Sequence, residues 1–158
     1  MKFPALLLFS AAFLMPAKSS AATNCPWLTK GSAATALGGS VSVTAQVSDS
    51  GEGSCTFTRE EATSKDNFKD VLKIAVQKAP QPTCPAGSPK LIAIGNEAVT
   101  CTLRRPPVES VEMIVSRVRD LHFTVSITTH KQGAQPSNPS ESADALEQVA
   151  EQVAGNLF

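Results

Sequence analysis

Val41, Val43, Ala45 and Val47 alternate with Ser42, Thr44 and Gln46. This period of two belongs to a strand with one face buried. DSGEGS, at 49–54, is a turn, and Cys55-Thr56-Phe57-Thr58-Arg59 alternates again, which predicts a hairpin. Residues Glu60 to Asp70 are charged and polar and read as a surface loop. In the following VLKIAVQ, Leu72, Ile74 and Val76 share one face. Pro80, Pro82, Pro85 and Pro89 then exclude helix and inner strand, leaving a rigid loop. LIAIGNEAVTCTL is an extended segment with a turn at Gly95-Asn96, and RRPPVE breaks it. The clearest strand signal is VEMIVSRVRDLHFTVSITT, two apolar arms about an Arg119-Asp120 turn. Its second arm sends Leu121, Phe123, Val125 and Ile127 inward and His122, Thr124, Ser126 and Thr128 outward.

Helical spacing occurs at the two ends of this run. Ala33, Ala34 and Leu37, between a Thr29 cap and a Gly38-Gly39 stop, predict a short helix over 30–37. Near the other end, after the polar linker GAQPSNPSES, Leu146, Val149, Ala150, Val153 and Leu157 form one stripe. They predict an amphipathic helix over 146–157, with Ser140 or Ser142 as its cap. The order of elements gives an α+β fold. It is an antiparallel sheet of about five strands, with the short N-terminal helix and the amphipathic C-terminal helix on one face.

The opening residues change the picture of where the chain works. Lys2 precedes an apolar run from Phe3 to Met15, and Ser19-Ser20-Ala21-Ala22 follows. This is the layout of a secretory signal peptide, too short for a membrane span of about 20 residues. Cleavage after Ala22 divides the chain into a signal, 1–22, and a single exported domain, 23–158. Asn24 stands where a lipoprotein signal carries a small residue, so the expectation is a soluble secreted or periplasmic protein. Removing Lys2 and Lys18 leaves 12 basic against 14 acidic residues, a net charge of about −2. No basic surface for nucleic acid remains, and no stable membrane insertion is expected.

Cys25, Cys55, Cys84 and Cys101 all fall in the exported part. An even count there reads as two disulfides. Of the three pairings, Cys25–Cys55 with Cys84–Cys101 is preferred because neither bridge crosses the other. Zinc is the rival, without any CxxC or CxH spacing to support it.

No catalytic constellation stands out. His122 and His130, eight residues apart on one strand face, lie about 26 Å apart and cannot share a metal. Adjacent Glu60 and Glu61 point to opposite faces of a strand. No G-x-S-x-G is present. The residues singled out for ligand contact are Arg117 and Arg119, beside the hairpin turn, and Trp27, the sole tryptophan.

Three features taken together suggest a family. Cys25-Pro-Trp-Leu-Thr runs to Leu37-Gly38, Ile94-Gly95-Asn96-Glu97-Ala98 leads into a strand, and the arginine-bearing hairpin precedes the ALEQVAEQVAGNLF helix. This order resembles exported domains of unknown function found in actinobacterial lipoproteins. Those are similar to the extracellular sensor domain of some mycobacterial serine/threonine kinases. Asn96 stands where that family has Asp, and the lipobox is missing. The resemblance implies a disulfide-stabilised α+β domain with a cleft for a ligand, and it offers no catalytic residue or cofactor. The expected function is a non-enzymatic ligand-binding or sensing module, its partner an unidentified small molecule or envelope protein. The alternatives are an envelope interaction or inhibitor protein, and an exported hydrolase.

Overall fold

The computed structural model describes residues 24–62, 67–79, 84–105, 109–132 and 139–158. The signal peptide expected over 1–22 and most of the polar linker lie outside the described residues. Seven strands and two helices follow in the order α1 (Lys30–Leu37), β1 (Ser42–Val47), β2 (Gly53–Ala62), β3 (Asn67–Gln77), β4 (Lys90–Leu91), β5 (Glu97–Arg105), β6 (Glu109–Val118), β7 (Leu121–Gln132) and α2 (Pro139–Leu157). The strands form one sheet, ordered β1-β2-β3-β7-β6-β5-β4, and every pairing is antiparallel. Two meanders therefore meet along a β3–β7 seam, with Ile74 opposite Val125 near its middle. The fold is α+β, as expected, with seven strands rather than about five.

The additional strand residues have physical reasons. Glu60 to Asp70 was expected as a loop, yet β2 runs to Ala62 and β3 starts at Asn67. Two pairs of opposite charges face each other across the hairpin where these strands are described. Lys69 Nζ lies 2.7 Å from Glu60 Oε1, and Arg59 Nη1 lies 3.6 Å from Asp70 Oδ2. Opposite charges facing each other let a polar sequence extend as ladder. β4 comprises only Lys90 and Leu91, which pair with Val99 and Ala98 after the last proline of the rigid loop.

One sheet face is apolar along β2, β3 and β7 and at Ile114 and Val118 of β6. Phe57, Leu72, Ile74, Val125, Phe123 and Ile114 are buried there. α2 covers this face, burying Leu146, Val149, Ala150, Val153 and Ala154. The predicted stripe is thus the buried one. The helix itself begins earlier than expected, at Pro139, so Ser142 lies within it. The Ser142 hydroxyl donates instead to Glu112 Oε2, 2.6 Å away on β6.

α1 occupies the expected residues. Thr29 Oγ1 accepts from the Ser32 N–H at 3.1 Å, and Gly38 ends the helix in the left-handed conformation, φ 69°. Arg59 reaches from β2 to the carbonyl of Leu37, satisfying one of the last acceptors of the helix. The Trp27 carbonyl accepts from Asn156 Nδ2 of α2 at 2.9 Å. Cys25–Cys55 and Cys84–Cys101 are both bonded, as the uncrossed pairing predicts. The first bridge fastens the N-terminal segment beneath β2, and the second fastens the proline-bearing loop to β5.

Candidate functional site

Three residues were singled out for ligand contact, and the structure places them in different surroundings. Trp27 is 4% exposed and forms part of the core. Arg117 lies near the end of β6, half-exposed, with Nη2 3.6 Å from Glu97 Oε1 on β5. Arg119 lies in the β6–β7 turn with φ 56°, and its guanidinium carbon stands 5.9 Å from the centre of the Phe158 ring.

The turn is joined to the segment before β5. The Asn96 N–H donates to the Arg117 carbonyl at 2.7 Å, and Asn96 Oδ1 accepts from the Arg119 N–H at 3.0 Å. Gly95, φ 65°, makes this approach possible. A Cβ on it would stand 2.5 Å from the Arg117 carbonyl oxygen. Beneath, the buried Ser116 hydroxyl donates to the Ile94 carbonyl at 2.8 Å. Sequence reasoning found the arginines and the Gly-Asn turn signal separately. Their contact depends on a long-range pairing that local patterns do not carry.

Sequence reasoning missed a second feature, a groove of about 230 Å³ between the helices. Ser32 and Thr35 of α1 face Gln148 and Gln152 of α2, with Ala36, Ala145 and Val149 between them. No residue in this lining is charged. Hydroxyls and side-chain amides over a small apolar floor suit a neutral ligand that both donates and accepts hydrogen bonds. Only the exposed polar positions of the two helical patterns marked the groove, and such positions commonly face solvent alone.

Titratable groups show little clustering. Among the described residues, no three His, Cys, Asp or Glu side chains gather where they could hold a metal ion. His122 and His130 stand on one face of β7, opposite Gln77 and Lys69 of β3. Glu52, in the β1–β2 turn, is held below the usual carboxylate range. The Lys78 N–H, donating to Oε1 at 2.8 Å, is the main cause, and the Ser50 hydroxyl adds to it. This carboxylate ties the turn to the end of β3. Among the described residues, no helix is long and apolar enough to cross a membrane. No protein family, curated protein or solved structure matches this chain.

Proposed function

We propose that the protein is an exported, non-enzymatic ligand-binding or sensing module, and that its small-molecule site is the groove between α1 and α2. The observation that carries this reading is an uncharged polar lining on two helices that are each anchored to the rest of the fold. The side-chain amides of Gln148 and Gln152, as donors and acceptors, face the hydroxyl oxygens of Ser32 and Thr35, which are bonded to Thr29 and to the Gly31 carbonyl and keep lone pairs to accept with. Anchored walls reduce the ordering cost of binding. The groove is small against the roughly 300–1,000 Å³ of sites for larger ligands, which limits the occupant to a neutral, compact, polyhydroxylated or amide-bearing molecule. The signal-like opening residues and the two disulfides support export, and the resemblance to sensor domains supports the binding role.

Mass spectrometry of small molecules released from the folded protein tests the reading. The expected result is a neutral compound whose binding is lost in Gln148→Ala/Gln152→Ala without loss of folding. A compound that binds this variant as well as the wild type overturns the groove as the site. N-terminal sequencing of the secreted protein should find a start near Thr23 and no lipid on Cys25. An interaction role is favoured by another part of the molecule, where Ile92 and Phe158 are exposed.

A further inference from the structure

Ile92 is 93% exposed and Phe158 is 63% exposed, and they are the exposed large hydrophobic residues among those described. The described non-glycine residues with positive φ are Ala93, at 71°, and Arg119, at 56°. The two pairs coincide. Ala93 follows Ile92 in the chain, and the Arg119 guanidinium lies against the Phe158 ring. Asn96 joins them, because its side chain accepts from the Arg119 N–H while its own N–H is bound to Arg117. Left-handed backbone is unfavourable for residues that carry a Cβ, and it persists only where the surroundings over-determine it. Here they do. Lys90 and Leu91 are paired to β5 on one side of Ile92, and buried Ile94 is held by Ser116 on the other. Ile92 stands away from the core, 93% exposed, and the fold does not require an apolar residue at this position.

We propose that this end of the molecule, the 91–96 loop with the β6–β7 turn and Phe158, is a docking surface for a partner protein that presents an apolar pocket rimmed by carboxylates. Ile92 is the knob. Arg119 stacked on Phe158 is the second anchor, a pairing of residue types enriched where binding energy concentrates. Charge selects the rim. Lys90 and Arg119 make no ion pair among the described residues and outnumber the exposed carboxylate of the turn, Asp120, so the rim keeps a net positive charge, whereas Arg117 is already matched by Glu97. Rigidity selects a protein over a lipid surface. A pre-set loop lowers the ordering cost of entering a shaped pocket, and a fluid bilayer gains nothing from that shape. The net charge of the exported part, about −2, likewise gives no general attraction to anionic lipid.

A photo-crosslinking residue placed at exposed Asp120, with the same residue at Thr44 on β1 as control, tests the surface in the native cells. The expected result is one discrete protein adduct from position 120, absent from position 44. That protein, purified, should bind the wild type at least tenfold more tightly than Ile92→Ser. It should also lose at least tenfold for Lys90→Glu/Arg119→Glu, with a loss that shrinks as salt rises. Both variants should keep the wild-type melting temperature, since these side chains are exposed. An adduct with lipid, or co-sedimentation with phosphatidylglycerol vesicles that Ile92→Ser abolishes, overturns the proposal in favour of a membrane. An adduct at twice the mass of the chain overturns it in favour of self-association. No adduct, or an adduct whose binding ignores Ile92, overturns it outright.

Discussion

Replacing Cys25 and Cys55 together by alanine should destabilise the whole domain and not merely release its first residues. The bridge closes a separation of 30 residues. On the chain-entropy account this corresponds to about 3.6 kcal/mol at 25 °C. Cys55 is also fully buried, and its lost packing adds about 1 kcal/mol. The total, about 4.5 kcal/mol, is most of the stability of a marginal domain. The sequence suggests that the segment before β1 would then come loose, because a short helix with Gly31 inside it holds poorly alone. The structure argues otherwise. Trp27, Leu28, Ala33, Leu37 and Val41 are all core residues, and Arg59 and Asn156 bind the segment from two other elements. Urea titration with native-state hydrogen exchange separates the two outcomes. Amides of α1 should lose protection together with those of β3 and β7, as one unit. Exchange of α1 alone, with β7 fully protected, would refute the reasoning.

The second bridge, Cys84–Cys101, closes 17 residues and lies partly exposed, so Cys84→Ala/Cys101→Ala should cost only about 3 kcal/mol and mainly loosen the 84–91 loop, read by the same exchange measurement. Val153 is fully buried under the sheet, so Val153→Ala should cost about 2 kcal/mol and Val153→Asp several more. Burial raises the introduced carboxyl, so the excess cost of Val153→Asp should be smallest below about pH 4 and grow by about 1.4 kcal/mol per pH unit above it, in denaturation at pH 4, 5 and 6. Glu52 behaves in the opposite sense. Its folded-state value lies below the ordinary 4.5, so its contribution is fully present above that value and disappears as the pH falls through the lowered one. Glu52→Gln should therefore lower the urea midpoint at pH 7 and leave it unchanged at the acid end.

Local pattern carried much of the fold. Alternation placed β1 and the β6–β7 hairpin, and the 3.6-residue stripe chose the face that α2 buries. It failed at Glu60–Asp70, where the stabilising partners are charges across a hairpin, such as Glu60 with Lys69. Polarity alone does not separate that arrangement from a loop. The site was less legible for a related reason. Arg119 and Asn96 are 23 residues apart and meet only because β5 pairs with β6, while the Ser32 and Gln148 sides of the groove come from opposite ends of the chain. Trp27 illustrates the converse: a residue type common at ligand sites is here a wall of the core.

The seam between β3 and β7 has a consequence for how the molecule can be taken apart. Cutting the connection between Lys78 and Cys84 would leave two pieces without a covalent link. One carries α1, β1, β2 and β3 with its own bridge, Cys25–Cys55; the other carries β4 to β7 and α2 with Cys84–Cys101. What would reunite them is the ladder from Asn67 opposite Gln132 to Gln77 opposite His122, together with α2 lying against α1. Because one wall of the helix groove belongs to each piece, neither fragment alone would hold a ligand there. A split version of this protein would then rebuild the groove only when its two pieces reassemble.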